Sequence, residues 1–240
     1  MTVLVGILCQ DGVVIGSDSS MTFSANQHFR TIEQPAQKTF IVQPDVLFAG
    51  TGSAGLGQRF AAILGGVRSS IRQQVQDAHV GSISHIEIAK SICLHTLKDF
   101  EATCIRPGGY GALVAFPGGG GLQLCEFAID DFQPEFKMPT NWFVSMGSGQ
   151  PIVDPFLGLL CRTLLRGEQP RLREGIFAAQ WAMEHAISLN TGGINGPAQI
   201  GVLARDNASD KFVARLLLDE ELAEHVDGVQ AAENYLAAYR

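Results

Sequence analysis

The 240-residue sequence predicts an α+β fold, a four-layer α/β/β/α sandwich of two mainly antiparallel sheets with helices on both outer faces. Three observations predict it. Short β-rich runs occur in pairs joined by turn residues, which is typical of hairpins and therefore of antiparallel sheets. Long stretches with helical spacing separate the hairpins. Each sheet must also cover its apolar faces, and two packed sheets with helices outside them do so.

The first half of the chain supplies two predicted hairpins and two helices. Its opening run is apolar and β-branched, and the next run follows an Asp-Gly turn, which is a strong hairpin signal. The predicted elements are strands at 2–9 and 13–18, strands at 38–43 and 45–50 turning near Pro44, and helices at 54–76 and 85–103.

The second half of the chain again predicts strands followed by helices. A hairpin crosses Pro117 and four glycines, and a glycine turn at 147–149 leads from a buried strand into a helix. The predicted elements are strands at 112–116, 122–128 and 142–146, helices at about 152–166 and 173–189, strands at 198–204 and 211–217, and a helix at 219–237. Because the chain has no low-complexity linker and no fixed-period repeat, we expect one domain over 1–240.

Composition excludes several classes of function. The formal net charge is -7 and the basic residues are scattered, which argues against a nucleic-acid partner. No stretch reaches eighteen apolar residues, so no membrane span is expected. The five cysteines are odd in number and form no C-x-x-C pair, which favours free thiols in a cytoplasmic compartment over disulfides or zinc. We expect neither a cofactor nor a metal.

The stretch V-L-F-A-G-T-G-S-A-G-L-G contains the Gly-x-Gly-x-x-Gly pattern of dinucleotide-binding loops at Gly50, Gly52 and Gly55. That fold requires a βαβ unit and an acidic residue about twenty residues on, at the end of a second strand. Here the preceding strand belongs to a hairpin, and the first acid downstream, Asp77, lies in a helix or loop. A tight turn is therefore favoured over a cofactor site, with Gly55 allowing the next helix to pack closely.

The N-terminus offers a different chemistry. A methionine before a small residue is normally removable, so Thr2 can become the first residue. An N-terminal threonine carries a hydroxyl nucleophile and an α-amine whose reference pKa is about 7.7–8.0. The amine can therefore act as the base for its own hydroxyl.

Such a site also needs a cation, an acid that holds the cation, and N–H donors for an oxyanion. The first hairpin folds Asp18 back beside Thr2, and Lys38 opens the next hairpin, which runs into the glycine loop. Taken singly, Asp18 is more typical of a strand-end turn and Lys38 of a solvated charge. The combination is what indicates a catalytic site.

With these residues together, the chain resembles the catalytic β-type subunits of the proteasome superfamily of N-terminal-nucleophile hydrolases. It is most like the bacterial proteasome homologues without a long propeptide. The stretch T-V-L-V-G-I-L-C-Q-D-G-V-V-I-G-S-D-S-S-M-T resembles the family's opening hairpin. The resemblance implies Thr2 as the nucleophile, Asp18 as the acid, Thr22 as a substrate-backbone ligand and, through K-T-F-I-V, Lys38 as the catalytic lysine.

Two further stretches carry the resemblance. F-A-G-T-G-S-A-G is similar to the family's Ala-Gly loop and implies Gly52 as the oxyanion donor, with Gly50 as the alternative. M-G-S-G matches a Gly-Ser-Gly that implies Ser148 beside the amine of the nucleophile. Ser148 is also a candidate helix N-cap.

The chain departs from the family at two places. Ser20 stands where a basic residue is usual, and S-L-N-T-G-G replaces an Asp-x-x-Ser-Gly that supports the amine. Thr191 can stand in for that serine. Ser188 replaces the aspartate, or Asn190 does if the register shifts. A lost carboxylate near the amine implies weak activity or dependence on an activator.

The resemblance implies a threonine-type endopeptidase, free of cofactors, that assembles as a homo-oligomeric ring and cleaves unfolded proteins or peptides. The resemblance is also compatible with an ATPase or an activator as a partner. Met21, Gly50, Ala54 and Phe40 are expected to form an apolar substrate pocket. The alternatives are a small-molecule amidase of the same class, a non-catalytic ring subunit, and the nucleotide-binding fold.

Overall fold

The fold was analysed from a computed structural model of the chain. It describes residues 1–26, 29–78, 83–103, 105, 108–189 and 193–239. Within these ranges, only the backbone is described at 22–26, 29–32 and 76–78.

The described residues form an α+β fold with five helices and three antiparallel sheets. In chain order the strands are β1 (Leu4–Leu8), β2 (Gly12–Ser17), β3 (Ser20–Asn26), β4 (Phe29–Pro35), β5 (Thr39–Gln43), β6 (Val46–Gly52), β7 (Tyr110–Gly118), β8 (Gly121–Phe127), β9 (Pro134–Phe136), β10 (Phe143–Met146), β11 (Gln199–Asp206) and β12 (Lys211–Leu216). The helices are α1 (Ala54–Ala78), α2 (His85–Ala102), α3 (Gln150–Thr163), α4 (Leu172–Ser188) and α5 (Asp219–Ala237).

The first sheet has the strand order β10-β1-β2-β11-β12, with every neighbouring pair antiparallel. Every residue of β1 and β2 is buried. Both faces are covered because α4 packs against one side of these strands and the second sheet packs against the other. A strand buried on both faces has a continuous apolar sequence instead of an alternating one, as L-V-G-I-L does.

The second sheet has the order β5-β6-β7-β8-β9 and is also antiparallel throughout. Helices α1 and α2 pack on it, while β5, β6 and β8 contact the first sheet. Its helix-side core is aromatic, built around the fully buried Phe60. These contacts are compatible with the sandwich that the sequence predicts.

The pairing of strand β6 decides whether the Gly-x-Gly-x-x-Gly pattern marks a dinucleotide-binding loop. It pairs antiparallel with β5 on one side and with β7 on the other. A dinucleotide-binding loop follows a strand of a parallel βαβ unit. The antiparallel pairing therefore excludes that fold for the loop that begins at Gly50.

A third, two-stranded sheet of β3 and β4 was not predicted from the sequence, nor was the short strand β9. Only two residues, Asp18 and Ser19, separate the end of β2 from the start of β3. Within the described ranges, no helix has the length and hydropathy needed to cross a membrane.

Candidate active site

Thr2 lies at the entry to β1, where the edge of the first sheet meets the loop before α3. The backbone N–H of Thr2 donates to Ser148 Oγ at 3.1 Å, and the Thr2 carbonyl accepts from the Gly149 N–H at 3.2 Å. The Ser148 hydroxyl also donates to this carbonyl at 3.3 Å. The main chain of Thr2 is thus held by a turn that lies 146 residues away in sequence.

Asp18 lies directly after β2 and beside Thr2, as the hairpin predicts. Its side chain is completely buried. Oδ1 accepts from the Val3 N–H at 3.0 Å and Oδ2 from the Ser20 N–H at 3.2 Å. These bonds fix the carboxylate in a position that excludes water, against the backbone of Val3, the residue that follows Thr2.

Lys38 directly precedes β5 and points its ammonium group at both of these residues. Nζ lies 2.8 Å from each carboxylate oxygen of Asp18 and donates to Thr2 Oγ1 at 3.1 Å. A further bond, also 3.1 Å long, runs to the carbonyl oxygen of Met1. One cation therefore contacts the buried acid, the candidate nucleophile and the peptide group that precedes it.

Burial decides the electrostatics of Lys38. Its side chain is 8 % exposed. Desolvation lowers its pKa below the ordinary lysine value of 10.5, and the nearby Asp18 carboxylate opposes this shift without cancelling it. Asp18 therefore favours the ammonium form of Lys38 against the effect of burial.

Gln199, at the start of β11, was missed by sequence reasoning. Its Oε1 accepts from the Lys38 N–H at 2.8 Å and from the Thr39 N–H at 3.3 Å, and its Nε2 donates to the Ala36 carbonyl at 2.9 Å. The side chain thus fixes the backbone from which Lys38 extends. Because 161 residues separate Gln199 from Lys38, no local pattern could have revealed the contact.

The turn at 147–149 requires glycine next to the nucleophile. Gly147 has φ +89°, and a Cβ there would overlap with the Thr2 carbonyl oxygen. Helix α3 takes Gly149 as its N-cap residue and has no side-chain cap bond. The expected N-cap role of Ser148 is therefore wrong, because its hydroxyl bonds the main chain of Thr2 instead.

The glycines of the 50–57 loop have different roles. Gly52 has φ +110°, and a Cβ there would overlap with the Gly109 carbonyl oxygen. A Cβ on Gly50 would overlap with the Tyr110 hydroxyl. Gly55 has open space, with only Ser53 Oγ at 4.0 Å from its Cβ position. Close helix packing is instead required at Gly57, so the expected role of Gly55 is wrong.

Two cavities border Thr2. One has a volume of about 460 Å³ and includes the predicted pocket residues Met21, Phe40, Gly50 and Ala54 in its lining. The other has a volume of about 450 Å³. Thr2 and Gly52 line both, so both residues lie where the two cavities meet.

Three residues predicted for the site cannot be placed. Thr22 lies on β3 by its backbone, but its side chain is outside the described part of the structure. Thr191 and Asn190 lie outside the described residues altogether. Ser188 is described, and its hydroxyl donates to the His185 carbonyl at 2.8 Å, a local bond at the end of α4.

Over the described residues, no three His, Cys, Asp or Glu side chains are grouped as a metal site would require. Cys9 and Cys125 are buried, and burial raises the pKa of both thiols.

No protein-family model matches the chain, and no curated protein matches it.

Proposed function

We propose that the chain is a threonine-type endopeptidase whose nucleophile is Thr2 after cleavage of the Met1–Thr2 bond. The observation that carries the proposal is the position of Lys38 Nζ, 2.8 Å from the Asp18 carboxylate and 3.1 Å from Thr2 Oγ1. A hydroxyl held against a buried cation that is itself fixed by a buried acid is the arrangement that nucleophilic catalysis by an N-terminal threonine requires.

The amine of Thr2 serves as the base. In the intact chain the Thr2 nitrogen is a peptide N–H that donates to Ser148 Oγ at 3.1 Å. Once Met1 is removed, the same atom becomes an α-amine with a reference pKa of about 7.7–8.0. Lys38 Nζ supplies a nearby positive charge that favours the neutral amine.

The reaction proceeds in two steps. The amine, directly or through a water, takes the proton from Thr2 Oγ1 as this oxygen bonds to the carbonyl carbon of the substrate. The C–N bond then breaks, the leaving amine takes up the proton, and an ester remains on Thr2. Water hydrolyses this ester by the reverse proton movement and releases the acid product.

Gly52 is the proposed oxyanion donor. It borders both cavities beside Thr2, and its lack of a side chain leaves its backbone N–H accessible. Gly50 is the weaker choice, since it lines only one of the two cavities. Lys38 adds electrostatic stabilisation, held in place by Asp18.

A peptide substrate is favoured over a small amide by the two cavities. They have about 460 and 450 Å³, and apart from Met1, Thr2 and Gly52 they are lined by different residues. A chain that passes Thr2 can place residues in both, whereas a small amide needs only one.

We further propose the four-layer fold of the N-terminal-nucleophile hydrolases and a ring of identical subunits, in which unfolded chains reach the site. Native mass spectrometry tests the ring.

The test is hydrolysis of a fluorogenic peptide library by wild type, Thr2→Ala, Thr2→Ser and Thr163→Ala. Thr163 is an exposed threonine on α3, so its loss controls for the change of residue type. We expect Thr2→Ala to lose orders of magnitude in kcat/KM and Thr2→Ser to keep measurable activity. Full hydrolysis by Thr2→Ala would overturn the proposal, and a single active monomer in native spectra would favour a small-molecule amidase.

A further inference from the structure

The Tyr110 hydroxyl is buried without a hydrogen-bond partner among the described residues. The residue is 4 % exposed and begins β7, opposite Gly52 in the strand register. A buried hydroxyl without a partner costs stability, so such groups are uncommon in native proteins. The ring of Tyr110 already packs against Phe60, Phe100 and Phe132. Phenylalanine could make these contacts without an unpaired hydroxyl.

This hydroxyl lies at the wall of the larger cavity beside Thr2. Tyr110, Gly50 and Gly57 all line that cavity. A Cβ at position 50 would overlap with the hydroxyl oxygen, and one at position 57 would lie 3.6 Å from it. The lack of side chains at Gly50 and Gly57 therefore leaves room for the Tyr110 hydroxyl in the wall of this cavity.

The other residues that line the cavity favour an uncharged ligand. Its walls include the apolar side chains of Met21, Phe40 and Phe48. Among the described lining residues there is no carboxylate to pair with a cation, and the ammonium of Lys38 is already paired with Asp18. Burial raises the pKa of Tyr110, so the phenol stays protonated and can donate a hydrogen bond at neutral pH.

We propose that this cavity binds a P1 side chain, that of the residue whose carbonyl is attacked, that is uncharged and ends in a hydrogen-bond acceptor. Glutamine fits this description. Its methylene groups would lie along the apolar walls, and its amide oxygen would accept from the Tyr110 hydroxyl. This inference rests on the proposed peptidase function and refines the expectation of an apolar substrate pocket.

The test compares peptides that differ only at P1, with glutamine, norleucine, glutamate or lysine, as substrates of wild type, Tyr110→Phe and Tyr235→Phe. Tyr235 is exposed on α5 and controls for removal of a phenol hydroxyl elsewhere. In wild type and Tyr235→Phe we expect kcat/KM for glutamine to exceed that for norleucine about fivefold to tenfold, the effect of one neutral hydrogen bond. In Tyr110→Phe the ratio should fall to about one.

Thermal unfolding of the same variants separates a structural role from a role in specificity. Tyr110→Phe should unfold at or above the wild-type temperature, because the ring contacts remain and the unpaired hydroxyl is gone. If Thr2-dependent cleavage occurs and the glutamine-to-norleucine ratio is the same in wild type and Tyr110→Phe, the inference is wrong while the proposed function stands. If no peptide is cleaved in a Thr2-dependent manner, the proposed function fails and this inference fails with it.

Discussion

Replacing Lys38 with methionine is expected to destabilise the protein strongly as well as to abolish activity. Asp18 has no exposed side-chain surface and accepts bonds from Lys38 Nζ and from the N–H groups of Val3 and Ser20. Among the described residues, the substitution removes the one positive charge that touches this carboxylate. Two backbone donors would then remain to stabilise a fully buried anion.

The size of the effect follows from this burial. Removing one partner of a buried ion pair costs about 3–5 kcal/mol, because the remaining charge is left uncompensated. In a protein of this length each kcal/mol lowers the melting temperature by roughly 2–4 °C, so Lys38→Met should lower it by roughly 6–20 °C. The double variant Asp18→Asn/Lys38→Met should recover much of the loss, since it contains no buried charge at this place.

The assay is thermal and urea unfolding of the two single variants, the double variant and Lys98→Met. Lys98 is exposed on α2, so its replacement should change the free energy of unfolding by less than about 0.5 kcal/mol. A wild-type melting temperature for Lys38→Met would refute the reasoning. A double variant whose loss equals the sum of the two single losses would also refute it, since coupling between the two groups would then be absent.

Three further results are expected. Peptide hydrolysis should decline above neutral pH as Lys38 loses its proton. Because burial lowers the lysine pKa, the midpoint of this decline should lie below pH 10.5. In a pH–rate profile of Lys38→Arg the decline should move to higher pH or disappear. Gly147→Ala should lower kcat/KM about 100-fold by displacing Thr2, whereas Gly158→Ala, with open space at its Cβ position, should leave kcat/KM unchanged. Gln199→Leu should lower kcat more than it raises KM, because the backbone of Lys38 loses its support while the cavity stays intact. Unchanged rates in Gly147→Ala or Gln199→Leu would contradict the positioning role assigned to that residue.

The local elements of the fold could be predicted from the sequence. Hairpins and helices depend on turn residues and periodicity, and the hairpin that brings Asp18 to Thr2 is of this kind. Strand β3 was missed although S-M-T-F-S-A-N alternates polar and apolar residues, the pattern of a half-buried strand, so the sequence did contain a signal for it. Strand β9 was missed because three residues carry too little pattern.

The contacts that complete the site depend on distant parts of the chain. The Gln199 bond to the Lys38 backbone and the Tyr110 hydroxyl beneath Gly50 join separate elements, and no short window of sequence contains both partners. The role of Gly55 was misjudged for a related reason. A glycine motif marks a loop, but only the packing of β7 shows that Gly57 is the position that needs the space.

The central claim is that Thr2 becomes an N-terminal nucleophile. Intact-mass measurement of the purified protein, before and after treatment with a β-lactone that acylates reactive N-terminal threonines, tests it most directly. We expect a mass without Met1, and a single adduct that peptide mapping assigns to Thr2 and that is lost in Thr2→Ala. A retained Met1, or an adduct of equal yield in Thr2→Ala, would contradict the account.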